Sequence, residues 1–185
     1  MKMNNIKHIL FILIIFFEIY ITVQKVITIK NDDESLSNLQ KIIETYQHDG
    51  DLTLNFEDNY YDMSMASYAI EFSVENSITF SGNEYGTIFD YNNDIKGKFY
   101  VSLTQNIKTK IKFENIIFEN FGKPNEKYYG LFLLAFHLYE HNNSQYIFEN
   151  CTFRNNIQEL TSFINYNKPV STDEASIIFN GCKFL

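Results

Sequence analysis

The string His137-Leu-Tyr-Glu-His141 contains the side chains that a zinc-dependent hydrolase would need. Two histidines one helical turn apart can hold Zn²⁺, and a glutamate beside them can activate a water molecule. That chemistry requires a helix, whereas the aromatic run 132–139 predicts a strand and a turn, in which the two histidines lie too far apart to chelate as a helical pair. His137, Glu140 and His141 are therefore weak metal candidates that we expect in a turn or facing solvent. No other motif predicts a metal or a cofactor.

Two sequons could carry N-linked glycans, Asn142-Asn-Ser144 and Asn150-Cys-Thr152. Asn142 lies in a predicted exposed turn and is the candidate acceptor. Asn150 lies within a predicted repeat of strands, and we expect that sequon to remain unused.

The charge balance argues against a nucleic-acid partner. The chain has 23 acidic and 15 basic side chains, for a formal charge of -8, which disfavours contact with phosphate backbones. The densest basic stretch, 96–112, contains five lysines flanked by Asp94 and Glu114. We interpret it as a solvated strand face.

The amino terminus predicts export. Residues 1–8 carry Lys2 and Lys7, and an unbroken apolar run covers 9–17, as in the charged and hydrophobic parts of a secretory signal. Even 9–23 is shorter than the roughly 20 apolar residues of a comfortable membrane span. We therefore favour a cleaved signal and a secreted, extracellular protein. Because this segment lacks a small-x-small cleavage pattern, an uncleaved anchor at 9–23 is the alternative. That anchor would be the only membrane contact that the sequence predicts.

The rest of the chain must form the strands and helices of the fold, and it contains a repeat of about thirty residues. Three six-residue segments, 113–118 (FENIIF), 148–153 (FENCTF) and 179–184 (FNGCKF), start 35 and 31 positions apart. This period is typical of a solenoid. A looser fourth copy is predicted at 74–80, and short apolar runs between the copies predict two or three strands per repeat.

Alternation along each strand places the second Phe of each copy on one face with Ile116, Cys151 or Cys182. Parallel pairing of successive repeats, about 4.8 Å apart, would turn these positions into internal ladders. Asn115, Asn150 and Gly181 would occupy bends that require left-handed backbone. Asn120 and Asn155 also lie at equivalent positions of two copies, five residues after Asn115 and Asn150. Equivalent cysteines in a ladder lie within disulfide range but do not readily adopt the required torsion, so we favour free thiols and keep a Cys151–Cys182 disulfide as the alternative.

In its F-x-N-[IC]-x-F copies the chain resembles the right-handed parallel β-helix superfamily, the pectate-lyase-like group. The resemblance covers roughly residues 53–185. It implies an all-β solenoid of four to five coils, with a right-handed path, begun by a short helix that caps the core. Leu36, Leu39, Ile42, Ile43 and Tyr46 share one face of such a helix, and Gly50 follows its end.

We divide the chain into a signal segment (1–24), a linker with the capping helix (25–52) and the β-helix (53–185). The last copy ends at Leu185, and its apolar coil would be exposed if nothing covered it. We expect a fragment of a longer protein, with coverage by a partner chain as the alternative.

The catalytic sets that the resemblance would imply are not found in the sequence. Lyases of this fold need clustered aspartates for calcium and a basic residue, yet Arg154 is the only arginine. Hydrolases need paired aspartates, which Asp90, Asp94 and Asp173 do not form.

The leading hypothesis is therefore a non-catalytic β-helix that binds polysaccharide, or another surface protein, on a face lined by Tyr and Asn. One alternative is the remnant of a carbohydrate-active enzyme, which a carboxylate cluster on neighbouring coils would favour. The other is a structural or adhesive segment of a longer surface protein.

Overall fold

A computed structural model describes residues 24–103, 109–126, 131–138, 144–164 and 177–185. Fifteen strands and two α-helices are formed by these residues. The elements are β1 Lys25–Ile29, α1 Asp33–Ser37, α2 Leu39–Tyr46, β2 Leu52–Phe56, β3 Tyr60–Asp62, β4 Ala69–Ser73, β5 Ile78–Gly82, β6 Thr87–Asp90, β7 Lys98–Leu103, β8 Lys110–Glu114, β9 Ile116–Glu119, β10 Phe132–Leu138, β11 Gln145–Glu149, β12 Thr152–Arg154, β13 Glu159–Ile164, β14 Ile177–Asn180 and β15 Lys183–Phe184.

The strands form three parallel sheets wound into a solenoid. Sheet 1 has the order β1-β2-β5-β8-β11-β14, sheet 2 has β3-β6-β9-β12-β15, and sheet 3 has β4-β7-β10-β13. Each coil contributes one strand to each sheet, so that β2-β3-β4 form coil 1, β5-β6-β7 coil 2, β8-β9-β10 coil 3 and β11-β12-β13 coil 4. Strand β1 precedes them, and β14 with β15 begins coil 5. The predicted all-β parallel β-helix of four to five coils is confirmed.

Aromatic ladders form the core, as the repeat predicted. Phe113 pairs with Phe148, and Phe148 with Phe179, in sheet 1. The ring centroids along this ladder are 5.5 and 4.8 Å apart, with planes inclined by only 6° and 10°. In sheet 2 the rings of Phe118 and Phe153 stack in the same way, with centroids 5.0 Å apart. Like residues stack because parallel strands pair in register with the equivalent strand of the next coil.

The bends between strands have left-handed backbone at the predicted residues. Asn115, Asn150 and Gly181 have φ values of 56°, 53° and 64° at the corner between sheets 1 and 2. Asn120 and Asn155, at the end of sheet 2, have φ values of 59° and 54°. Asn and Gly tolerate this conformation better than other residues, which explains their recurrence.

The predicted fourth copy at 74–80 is wrong in register. Phe80 pairs with Phe113, the first Phe of the next copy, rather than with Phe118. The partner of Phe118 is Phe89, which lies nine positions beyond Phe80 instead of the five that separate the two Phe residues in coils 3 and 4. Coil 2 therefore contains a loop at 83–86 that interrupts the motif. Because of this loop, the spacing of Phe residues in the sequence did not identify Phe89 as the partner of Phe118.

The predicted capping helix is present but is divided into α1 and α2 at Asn38. The carboxylate of Asp32 accepts a hydrogen bond of 2.7 Å from the backbone N–H of Ser35, which caps α1. Leu36, Leu39 and Ile43 are fully buried against the first coil. Helix α2 packs beside β4. The two helices, which lie in the chain between β1 and β2, therefore cover the end of the core at coil 1.

Lys25–Ile29, which the sequence analysis assigned to a linker, forms the first strand of sheet 1 and pairs with Leu52–Phe56. Alternating burial along β1 places Ile27 and Ile29 toward the core. The segment is short and apolar, and only the neighbouring coil reveals that it has a strand partner.

The lysine stretch is not the uniform solvated face that we predicted. Lys98 is buried, and its Nζ lies 3.3 Å from the ring centroid of Tyr68. Lys112 is partly buried and contacts Glu114 at 2.5 Å and Glu149 at 2.6 Å. The hydrogen bond from Lys112 lowers the pKa of the Glu149 carboxyl. Lys112 thus has two carboxylate partners, whereas the ammonium group of Lys98 lies against an aromatic ring.

Candidate functional site

A groove on the outer surface follows the corner between sheets 1 and 2 across coils 3, 4 and 5. Its volume is about 380 Å³. The distance between parallel strands means that three coils span about 10 Å along the solenoid axis. The lining residues are Glu84, Tyr85, Gly86, Asn115, Ile117, Asn150, Thr152, Gly181 and Lys183.

The floor of the groove is a ladder of bend residues. The side-chain amide of Asn150 donates a hydrogen bond of 3.3 Å to the side-chain carbonyl of Asn115. Their backbones are fixed to the neighbouring coils, since the N–H of Asn115 donates to the carbonyl of Glu149 at 2.9 Å and that of Asn150 to Asn180 at 2.8 Å. The amides are therefore held at fixed spacing on successive coils, with Gly181 leaving the third position open.

One wall consists of outward-facing side chains of sheet 2. Ile117 pairs with Thr152, and Thr152 pairs with Lys183. An apolar group, a hydroxyl and an ammonium group therefore follow one another along the wall. This sequence of groups offers van der Waals contact, hydrogen bonding and a positive charge in one line.

The other boundary is the loop at 83–86, which stands over the bend of coil 3. The loop is folded by its own contacts, because the side chain of Asn83 accepts from the N–H of Tyr85 at 2.9 Å and the carbonyl of Asn83 accepts from the N–H of Gly86 at 3.0 Å. A side chain at Gly82 would lie 2.3 Å from the carbonyl oxygen of Asn115, so glycine permits this close approach.

Tyr85 lies at the tip of this loop and is 88% exposed, the most exposed of the large hydrophobic residues in the described part of the chain. A rigid aromatic ring beside fixed amides and a hydroxyl offers a stacking surface and hydrogen-bonding groups at the same place. Such a combination suits a ligand that has both apolar faces and many hydroxyls.

A second outer feature is a column of carboxylates in sheet 2. Asp62 pairs with Asp90, and Asp90 with Glu119, while Arg154 follows on coil 4. This is a carboxylate set on neighbouring coils, which the sequence analysis did not identify.

The carboxylates of the column have intramolecular partners. Asp90 accepts from the side-chain amide of Asn120 at 2.9 Å and from the hydroxyl of Tyr60 at 3.3 Å. Asp62 accepts from the side-chain amide of Asn92 at 2.6 Å, and Arg154 forms an ion pair with Glu119. Burial raises the pKa of Tyr60, and the charges of Asp90 and Asp62 raise it further. Within the described ranges, no group of three acidic, His or Cys side chains is arranged to hold a metal ion.

The predicted thiols occupy equivalent positions on coils 4 and 5 and are both free. The Cys151 thiol donates to the carbonyl of Phe113 at 3.4 Å, and the Cys182 thiol makes the same contact with Phe148 at 3.3 Å. Cys151 is fully buried, and burial raises its pKa to about 12. The low thiolate content makes Cys151 a packing residue rather than a nucleophile.

Of the three weak metal candidates His137, Glu140 and His141, only the position of His137 is described by the structure. His137 lies in β10, the strand that the aromatic run predicted, whereas Glu140 and His141 lie outside the described residues. The candidate glycan acceptor Asn142 also lies outside them. Of the acids considered from the sequence, Asp90 joins the column, Asp94 follows a bend, and Asp173 is outside the described residues.

The sequence did contain signals for the residues that were missed. Gly82 and Gly86 flank Asn-Glu-Tyr between two strands, which is a turn signal with an aromatic residue inside it. In the column, each carboxylate directly follows an inward aromatic residue: Tyr61, Phe89 and Phe118. Neither pattern is interpretable until the coil register is known.

Comparison of the chain with protein-family models, with curated proteins and with solved structures gave no match. Among the described residues, no helix has the length and apolar character needed to cross a membrane. The groove and the carboxylate column are the two outer features of the described residues that could bind a ligand.

Proposed function

We propose that this protein is a secreted or cell-surface β-helix that binds polysaccharide in the groove at the corner of sheets 1 and 2, without catalysis. The observation that carries the proposal is the position of Tyr85, an exposed ring beside a concave floor of Asn115 and Asn150. Pyranose rings have apolar faces that stack on aromatic side chains and hydroxyls that bond to amides. The groove volume is within the range of small-ligand sites.

Membership of the pectate-lyase-like superfamily, with its right-handed path, is part of this proposal. The parallel coils and the F-x-N-[IC]-x-F bends support it, and right-handed connection is the rule for parallel strands. The charged and apolar residues at 1–17 support export. A fold of this kind does not by itself imply an activity, so the groove is the basis for the ligand class.

The test is a glycan array followed by titration of the strongest oligosaccharide against the native chain, Tyr85→Ala and Tyr85→Phe. We expect Tyr85→Ala to weaken binding about tenfold, which corresponds to the loss of one aromatic stacking contact. Tyr85→Phe keeps the ring and should bind within about twofold of the native chain. Failure to bind any glycan, or equal binding by Tyr85→Ala, would contradict the proposal.

The carboxylate column favours one second candidate, a polysaccharide hydrolase. Asp62 and Asp90 lie on adjacent coils, and glycoside hydrolysis requires two carboxylates that flank the scissile bond. The hydrogen bonds to Asn92 and Asn120 would hold them in place. Turnover of glycans by the native chain that disappears in Asp90→Asn would favour this function over simple binding, and calcium-dependent turnover would indicate a lyase instead.

A further inference from the structure

The sequon Asn150-Cys-Thr152 lies on the outer surface of coil 4, at the bend between β11 and β12. Its position within the repeat predicts that it stays unused, yet Asn150 is exposed in the folded chain. Asn150 and Thr152 both line the groove, whereas Cys151 between them is fully buried. The two side chains that define an N-glycan acceptor are therefore on the same outer side of the solenoid.

The side-chain amide of Asn150 is directed along the groove. Its nitrogen donates to the side-chain carbonyl of Asn115 at 3.3 Å, toward coil 3. Its oxygen lies toward coil 5, where a Cβ added at Gly181 would be 2.6 Å from it. An amide nitrogen has two hydrogens, and the bond to Asn115 uses one of them. The other hydrogen can be replaced by a sugar without loss of this hydrogen bond.

A sugar on this nitrogen would start at the middle coil of the groove, on the side of coil 3. The loop at 83–86 stands over the bend of coil 3, and Tyr85 at its tip is 88% exposed. Tyr85 and Asn150 line the same groove, so the ring borders the space that such a sugar enters. The apolar face of a sugar can stack on tyrosine. A tethered sugar has an effective concentration in about the millimolar range, which favours this contact even where a single free sugar binds weakly.

The order of synthesis leaves the acceptor accessible before the solenoid is complete. Strands β11 and β12 pair with β14 and β15 of coil 5, and the two copies of the motif start 31 positions apart. At about 5–20 residues per second, coil 5 is made roughly 2–6 s after coil 4. During that interval the bend at Asn150 is not yet covered by coil 5, so a transferase can reach it.

We propose that Asn150 is an N-glycan acceptor and that the attached sugar stacks on Tyr85, which closes the groove to other glycans. Nδ2 of Asn150 attacks C1 of the first sugar of an oligosaccharide that is linked to a lipid diphosphate. The N–C1 bond forms as the C1–O bond to the diphosphate breaks, the diphosphate leaves with the bonding electrons, and a base of the transferase takes the amide proton. The modification thereby regulates the groove, and it rests on the proposed export and glycan binding.

The first test produces the whole chain in eukaryotic secretory cells and maps both sequons by glycopeptide mass spectrometry. We expect a glycan at Asn150 in the native chain and in Thr152→Ser, which keeps the sequon. Thr152→Val has a side chain of similar size without the hydroxyl and should have none. An exported chain with a glycan only at Asn142, or with none, would overturn the proposal. A chain that stays in the cytosol would contradict the proposed export and this proposal together.

The second test compares the glycosylated chain with the native chain made in a bacterial cytosol, where no N-glycan is added. On a glycan array the glycosylated chain should bind at least about tenfold more weakly. In hydrogen exchange, its amides at 83–86 should be better protected, and Tyr85→Ala should remove the difference. Equal binding by the two forms, or equal exchange of the loop, would overturn the closing of the groove. An unmodified chain that binds no glycan would contradict the proposed function instead, and the loop protection then decides this proposal alone.

Discussion

The side-chain amide of Asn150 donates to the side-chain carbonyl of Asn115 across 3.3 Å, from one coil to the next. Both residues have left-handed backbone at the corner of the solenoid. The same two residues therefore turn the chain, connect two coils and form the floor of the candidate groove.

Replacing Asn150 tests how much of its role depends on backbone conformation. Asn150→Ala and Asn150→Gly both lose the hydrogen bond to Asn115, but only alanine is strained at φ 53°. We expect Asn150→Gly to be more stable than Asn150→Ala by about 1 kcal/mol. Urea unfolding followed by circular dichroism measures the difference. Equal stability, or a more stable alanine variant, would show that the bend relaxes out of the left-handed region.

Gly82 is required where the loop of coil 2 approaches coil 3. A methyl group there would lie 2.3 Å from the carbonyl oxygen of Asn115, so Gly82→Ala must displace backbone. We expect a loss of about 1–3 kcal/mol in the free energy of unfolding, as for other overpacked positions. The adjacent Ser81→Ala, which loses only an outer hydrogen bond to Glu114, is the control and should cost about 1 kcal/mol or less. A neutral Gly82→Ala would mean that the loop does not lie against Asn115.

The buried Cys151 thiol should make stability depend on pH in the alkaline range. Burial raises its pKa from the ordinary value of 9.0 to about 12, so the unfolded chain loses this proton first. The free energy of unfolding should therefore fall between pH 9 and pH 12, with a contribution from this thiol of up to about 1.4 kcal/mol per pH unit. Cys151→Val should show a shallower decline in denaturant titrations at several pH values. An identical decline in both proteins would assign the effect to other groups, such as Tyr61, whose pKa is also raised by burial.

The two thiols should remain free in the purified chain. Cys151 and Cys182 are unpaired in the structure, and parallel side chains of one ladder do not readily adopt disulfide torsions. Alkylation in denaturant without a reductant should add two groups by mass spectrometry. A chain that accepts no alkyl groups until it is reduced would establish the alternative, a Cys151–Cys182 disulfide.

Lys98 should be coupled to Tyr68 through the cation–π contact. The ammonium group is buried and lies 3.3 Å from the ring centroid, a geometry in which the interaction contributes about 1–2 kcal/mol. A double-mutant cycle with Lys98→Met and Tyr68→Leu should return a coupling energy of this size. Tyr68→Phe keeps the ring and should be neutral within about 0.5 kcal/mol. Additive effects in the cycle would show that the ring merely covers the lysine stem.

The sequence predicted those parts of the fold that depend on local pattern. Phe113, Phe148 and Phe179 could be aligned because their copies have no insertions between the two Phe residues. The faces of the strands followed from alternation, and the amphipathic helix from its spacing of apolar residues.

Other parts of the fold and site could not be predicted because they depend on which coils become neighbours. Phe80 and Phe89 belong to one copy of the motif, but the loop between them changes their spacing and disguises the repeat. Asp62 and Asp90 are 28 positions apart and become adjacent only through the register of β3 and β6. For the same reason Tyr85 gains significance only when its loop is placed beside Asn115.

The sequence by itself therefore determined the inward half of this protein. Ladders of aromatic residues, left-handed Asn bends and a capping helix are encoded in periods of two, about 3.6 and about thirty residues, which the backbone geometry converts directly into structure. Only the tertiary structure decided the outward half, namely the groove and the carboxylate column. Outward neighbours come from different coils, and their spacing is set by loop lengths and strand register that no local pattern records.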